Sequence, residues 1–265
     1  MLIFVQIAVN VVRMLNKSTD HIASFAKGLR VIECFGADTP KLSIAQVASI
    51  SQLDRATARR CLLTLHHEGY ADYDGKFFTL TTKTLRLGMG ALASLPLPQI
   101  VQPWLDQLAE QIWQSCSVSI LDEGEIVYLA RAAQQRVMSI GLMPGSRLPA
   151  HCTSMGRVLL AELPLREACA VIDKADLSPR TAMSLTDPTE IMLRVENAKR
   201  DGYAVIDQEI EMGLRSIAVP VFNARGVVVA ALNTGMAATQ STAQSLVEDY
   251  LPALLKVQAG LRRVL

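Results

Sequence analysis

Two stretches of this sequence crowd together side chains that can hold anions. Residues 147–154, Arg147-Leu148-Pro149-Ala150-His151-Cys152-Thr153-Ser154, bring a guanidinium, an imidazole and two hydroxyls to the start of an apolar run that reads as a helix. A helix N-terminus offers free N–H groups to an anion, and an arginine can clamp a carboxylate through paired hydrogen bonds. The expected chemistry is non-covalent capture of a carboxylate, with Arg147, His151, Thr153 and Ser154 as donors. A solvated loop arginine is the alternative for Arg147, and Cys152 reads as core. The second stretch, RATARRCLLTLHH at 55–67, sets cations beside a helical apolar face. Its chemistry is contact with nucleic acid: Arg55, Thr57 and Arg59 reach base edges or nearby phosphates, while Ser43, Arg60 and Lys76 make positioning contacts. Internal support of the fold is the alternative for Arg60.

Covalent chemistry finds no comparable support. The chain has no G-x-S-x-G, no P-loop and no G-x-G-x-x-G. His151 and Cys152 are adjacent, but neighbours on an extended chain point apart, so adjacency does not make a nucleophile and its base. The five cysteines, Cys34, Cys61, Cys116, Cys152 and Cys169, are scattered with no C-x-x-C pair. That argues against a disulfide framework or zinc finger and for a reducing cytosol.

The cationic stretch needs a helix pair to present it. Ser43 and Gln46 have capping-box spacing ahead of Ile44, Val47 and Ala48. Ile50 to Leu53 breaks that helix, Asp54 caps a second one, and Ala58, Leu62 and Leu65 share its buried face. Gly69 can end it; Tyr70–Tyr73 and Lys76–Leu80 then alternate around Asp74-Gly75 like a hairpin. Helix, helix, hairpin is a winged helix, whose second helix enters the major groove. An αα-hairpin inside a larger core is the alternative. Ser24–Phe35 reads as a preceding helix with Phe25, Leu29, Ile32 and Phe35 buried. Between Ser24 and Gly88 nine basic and six acidic residues leave +3, against +1 for the whole 265-residue chain. The excess suits a DNA reader without identifying one.

Length suggests two domains. Residues 1–19 form an apolar extension whose run Met1–Leu15 is too short to span a bilayer and lacks a signal-peptide pattern. A start at Met14 and an accessory helix both stay open. The DNA-binding domain covers 20–81 and a linker helix 82–98, broken by the prolines of LPLPQIVQP; the rest, 99–265, is a second domain. There a helix over Trp104–Trp113 precedes strands at Cys116–Leu121 and Glu125–Arg131, with another candidate at Val137–Leu142. Helices follow at Ser154–Leu163, Leu165–Asp173 and Asp187–Asp201. Strands at Gly202–Asp207, Ile217–Phe222 and Val227–Leu232 lead to a closing helix at Thr242–Leu265. Without regular βαβ alternation, an α+β fold with an antiparallel sheet is expected.

These segments carry a resemblance. SFAKGLRVIECF, RATARRCLLTLHHEGY, FFTLTTKTLRLG, RLPAHCTSMGRVLLA and GYAVIDQEIEMGLRSIAVPVFN, in that order, resemble the IclR family of bacterial transcription regulators from Asp20 to Leu265. The resemblance implies a winged helix-turn-helix domain joined by a linker helix to a GAF-like effector-binding domain, assembled as a homodimer or dimer of dimers. It implies a near-palindromic double-stranded operator and a small carboxylate effector, with RNA polymerase a further candidate partner. No cofactor, metal or membrane is expected, and the location is cytoplasmic. RATARRCLLTL and LRSIAVPV look most like the branch regulating protocatechuate, 4-hydroxybenzoate and β-ketoadipate pathway genes. In the family's arrangement Asp207, Glu209, Glu211 and Ser216 face the 147–154 loop, with Asn233 on the last strand. Structural ion pairing is the alternative for Asp207 and Glu209. A metal site from His151, Cys152, Asp207 and Glu209, or an enzyme in the same pocket, is the competing functional reading.

Overall fold

Hydrogen-bonding side chains set the order of the first helices. In the computed structural model, which describes residues 21–36, 39–134, 141–239 and 242–265, α1 (Ala23–Glu33) and a two-residue strand β1 (Lys41–Leu42) precede α2 (Ile44–Ile50). Both halves of the capping box form at Ser43: its hydroxyl accepts from the Gln46 N–H, and its own N–H donates to Gln46 Oε1 at 2.9 Å. Ser51 closes α2 by donating its hydroxyl to the Val47 carbonyl at 2.6 Å. The chain turns through Gln52 at φ 54°. Asp54 then caps α3 (Arg55–His67), accepting from the Thr57 N–H at 2.8 Å. Strands β2 (Ala71–Tyr73) and β3 (Phe78–Leu80) complete an antiparallel sheet of order β1-β3-β2. The result is a winged helix around Val31, Val47, Ala58, Leu62 and Phe78.

One expectation for α1 fails. Val31 and Cys34 are its buried residues, Ile32 and Phe35 are half-buried, and Phe25 stays 65 % exposed, with Leu29 also exposed. The helix is apolar on more than one side, so sequence periodicity could not choose the side that its last turns present to α3.

After a short 3-10 turn at Thr82–Thr84, α4 (Leu85–Ser94) leads through Leu95 into α5 (Pro96–Ile112), and the chain divides into two units between Ala93 and Ser94. The helix does break before the prolines, at Leu95, but the prolines also open the next one. Pro96 and Pro98 sit in its first turn, where backbone N–H groups have no intrahelical acceptor, and Pro103 is tolerated inside.

The second unit is built on β4 (Ser115–Asp122), β5 (Glu125–Ala132), β6 (Arg147–Pro149), β7 (Ala204–Asp207), β8 (Leu214–Phe222) and β9 (Val228–Ala237). They form one antiparallel sheet of order β6-β5-β4-β9-β8-β7. Between them run α6 (Ser154–Ala161), α7 (Leu165–Lys174) and α8 (Pro188–Asp201), and α9 (Ala243–Leu261) closes the chain. On one face Val101, Leu105 and Leu108 of α5 and Leu246, Leu254 and Leu261 of α9 pack on Cys116, Val118, Ile217 and Leu232. On the other, Met155, Val158, Ile172, Ile191 and Val195 from α6, α7 and α8 meet Ile126, Ala218 and Ala231. The strand expected at Val137–Leu142 falls largely outside the described residues; Gly141 and Leu142 belong to no strand. The apolar extension 1–19 lies outside them entirely. Among the described residues no helix is long and apolar enough to cross a membrane.

Candidate ligand cavity and nucleic-acid interface

The middle of the sheet carries a polar row where a half-buried sheet would turn polar groups to water. Ser115, Ser117 and Ser119 alternate with Cys116 and Val118 along β4, so they share one face, and all three are buried. The register sets Arg131 of β5 and Asn233 of β9 on either side of Ser117. The Arg131 guanidinium donates to Ser117 Oγ at 2.9 Å. Burial pulls its pKa below the ordinary arginine value, partly opposed by Tyr128 and Cys116; an arginine so placed remains charged. Tyr128, whose phenol burial pushes up to about 12, stands on the same strand.

A cavity opens against this row. Its lining includes Ser115, Tyr128, Arg131, Asn233 and Gly235 from the sheet, Thr153, Ser154 and Met155 from the start of α6, and the apolar side chains of Leu142, Leu148, Ile210 and Leu214. Ser216 completes it, its hydroxyl 2.9 Å from that of Ser154, so that one donates and the other accepts. Thr153 is the helix cap: it accepts from the Gly156 N–H at 3.2 Å and donates to the Pro149 carbonyl at 3.0 Å. Chemically, the cavity offers one half-buried cation, a group of hydroxyls and an apolar wall. It can hold a flat molecule with an anionic end.

Of the residues proposed from sequence, Thr153, Ser154, Ser216 and Asn233 meet there. Four do not. Arg147 lies on β6 opposite Val127, and its guanidinium binds Glu125 at 2.6 Å and Asp122 at 2.9 Å on the rim of the β4–β5 turn. The supposed loop is an edge strand, which aims the side chain at those acids. Asp207 accepts from Arg215 at 2.7 Å, which holds its carboxyl below the ordinary range against a smaller effect of burial. Glu209 takes both terminal nitrogens of the buried Arg157, at 2.8 and 2.6 Å. Burial raises the Glu209 pKa, and the Arg157 guanidinium opposes that rise. For both acids the structural ion pair is what the fold contains. His151 is only 3 % exposed and does not line the cavity; its Nδ1 is unpartnered and its pKa is lowered by burial and by the Arg157 charge. Among the described residues no three His, Cys, Asp or Glu side chains are arranged to hold a metal ion.

Sequence reasoning missed Arg131, and the signal was available. A strand reading Ser-Cys-Ser-Val-Ser, followed one hairpin later by an arginine in an otherwise apolar strand, places a charge beside serines once the strands are paired.

In the first unit, Arg55, Arg59 and Arg60 are exposed on α3, and Lys76 is exposed on the wing with its ammonium 5.0 Å from the centre of the Phe77 ring. Thr57 is not among them. It is buried and accepts from Arg60 Nη2 at 3.3 Å, because position 57 falls on the face that packs with Ala58. Arg60 thus reaches back one helical turn to Thr57 while its side chain stays exposed. Ser43 spends its hydroxyl on Gln46 at 2.8 Å. A contributor absent from the expectations is Lys41 on β1, which pairs with Asp74 at 2.6 Å beside the wing turn.

A winged helix with an arginine-bearing second helix, followed by an α+β unit holding a small polar cavity, defines a ligand-responsive DNA-binding regulator. The sequence matches the IclR helix-turn-helix domain over residues 24–75 and the bacterial transcriptional regulator IclR C-terminal domain over 89–260. The chain belongs to the IclR family of bacterial transcriptional regulators. It is 40% identical over 243 residues to the Pca regulon regulatory protein of Pseudomonas putida, covering 91% of this chain and 84% of that one. It is 38% identical over 253 residues to the p-hydroxybenzoate hydroxylase transcriptional activator of Acinetobacter baylyi, covering 94% and 93%. Among solved structures, a transcriptional regulator from Rhodococcus sp. RHA1 superposes with a TM-score of 0.76 at 41% identity, covering 91% of this chain and 97% of that one. An IclR homologue from Microbacterium hydrocarbonoxydans complexed with 4-hydroxybenzoate gives 0.71 at 26% identity, covering 91% and 99%. The PobR inducer-binding domain of Acinetobacter, a double mutant with 3-hydroxybenzoic acid, gives 0.60 at 34% identity, covering 63% and 98%.

Proposed function

We propose that this chain regulates genes of aromatic-acid catabolism, and that its effector is a hydroxybenzoate-type carboxylate bound against Arg131. The observation that carries this reading is a half-buried arginine in a cavity otherwise lined by hydroxyls, an amide and apolar side chains. The carboxylate takes the Arg131 guanidinium, a charge-assisted contact of the strong kind. The ring lies against Leu142, Leu148, Ile210 and Leu214, and a ring hydroxyl meets the Ser154–Ser216 pair, which can both donate and accept. The named ligands of the 4-hydroxybenzoate and 3-hydroxybenzoic acid complexes have this shape and charge.

The DNA side of the reading places α3 in the major groove, with Arg55 and Arg59 at bases or phosphates and Lys76 on the backbone. Two copies would read a near-palindromic site. Assembly as a dimer or dimer of dimers, contact with RNA polymerase and a cytoplasmic location belong to the same proposal. A catalytic role is disfavoured by the thiol next to Thr153: burial pushes Cys152 up to about 11, the reverse of nucleophile activation.

The test is a thermal-shift and calorimetric titration with 4-hydroxybenzoate, protocatechuate and short dicarboxylic acids. A true effector at a thousand times its Kd adds about 4 kcal/mol of stability. Arg131→Ala removes a hydrogen-bonded charge and should weaken binding roughly ten- to a hundredfold, while Arg147→Ala leaves it unchanged. Loss in the Arg147 variant with none in Arg131→Ala contradicts the assignment.

A further inference from the structure

We propose that Gln102 is a positioning residue that ties the cavity arginine to the helix by which the chain enters the second unit. The proposal rests on the reading of Arg131 as the carboxylate anchor. The outer edge of β5 pairs with β6 from Glu125 to Val127, and the Tyr128 backbone bonds Ser146 and Gly145 just beyond; among the described residues that backbone pairing stops before Arg131. The Arg131 carbonyl finds a partner in the Gln102 side-chain amide of α5, at 3.1 Å. The same amide nitrogen donates to the Asp106 carboxylate one helical turn on, at 2.8 Å, which fixes its direction. One residue therefore faces two ways. Its guanidinium looks into the cavity, and its backbone is held by a helix on the opposite face of the sheet.

That helix is weakest beside the contact. Pro103 follows Gln102 and contributes no N–H to the helical ladder, so the first turns of α5 are joined to the remainder by fewer hydrogen bonds. Those turns follow α4 after the single residue Leu95. A carboxylate that draws the Arg131 guanidinium moves its carbonyl as well, and Gln102 passes that movement to the start of α5. The coupling is a differential contact between two arrangements of one strand and one helix, the form that a ligand-driven shift requires.

The experiment measures a coupling factor. Operator duplex is selected from a random pool with the wild-type protein, and its Kd is read with and without saturating 4-hydroxybenzoate or protocatechuate. Gln102→Met keeps the length and helix propensity of the side chain but removes the donor. A wild-type coupling of roughly 5- to 150-fold should fall below about twofold in Gln102→Met. The Kd for ligand and the ligand-free Kd for DNA should each stay within about threefold of wild type. Asp106→Ala, at an exposed position, should reduce the coupling in the same direction, and it decides the matter alone if Gln102→Met does not fold. Unchanged coupling in the variants overturns the role of Gln102 and leaves the ligand reading intact. A wild-type protein that binds neither acid overturns the ligand reading and this proposal with it.

Discussion

At the residue scale, the decisive difference lies between two arginines. The sequence singles out Arg147, beside the start of α6, whereas the cavity takes Arg131, and strand register is what separates them. Arg147 belongs to an edge strand and spends its charge on Asp122 and Glu125, while Arg131 is turned inward beside Ser117. Periodicity shows which residues share a face of one strand; it does not show which strands are neighbours, so the cation of the cavity was hidden while Thr153, Ser154, Ser216 and Asn233 were legible. The buried acid Glu209 follows the same logic, since it and Arg157 are 52 residues apart and meet only in the fold. Removing Glu209 leaves an unpaired buried guanidinium, so Glu209→Ala should cost about 3–5 kcal/mol in a denaturant titration. His151 gives a pH dependence with a definite sign. Its folded pKa lies below the unfolded value near 6.5, so the unfolded chain binds more protons and stability falls as pH drops below about 6.5. The loss is complete once pH passes below the folded pKa. Melting temperatures of wild type and His151→Gln between pH 5 and 7.5 should show that slope in the first and a flatter one in the second.

At the element scale, caps made the first unit readable. The Ser43–Gln46 box and the Asp54 cap form as their spacing predicts, because a cap is a local bargain between residues three apart. Ser43→Ala should lower the stability of the winged helix by about 1 kcal/mol, read as a shift of its unfolding midpoint. What spacing did not reveal was β1 and β6, short strands whose existence depends on a partner distant in sequence. The prolines of α5 were half readable: α4 stops before them as expected, but they forbid a helix only where an N–H is needed, and Pro96 and Pro98, in the first turn of the next helix, need none. Gly156 is a requirement of packing. It lies in the first turn of α6, next to the cavity-lining Met155, and a Cβ there would collide with the Ala150 carbonyl and backbone. Gly156→Ala should therefore destabilise the second unit by roughly 1–3 kcal/mol and weaken ligand binding by displacing Thr153 and Ser154.

At the scale of the whole molecule, the chain joins a unit that reads DNA to a unit that encloses a small cavity, and function lies in the link between their equilibria. DNA affinity should fall with salt, and removing one phosphate-contacting cation such as Lys76 should reduce the slope of log K against log salt by about 0.9. The ligand can change that affinity only through unequal binding to the two arrangements of the regulator. The most direct measurement is an operator titration at fixed salt, with and without saturating 4-hydroxybenzoate, on wild type and Arg131→Ala in parallel. The account predicts a midpoint that moves at least fivefold with ligand in the wild type, in line with typical coupling, and stays in place in Arg131→Ala, whose ligand-free DNA binding matches wild type. A midpoint that moves equally in both proteins, or in neither, contradicts it.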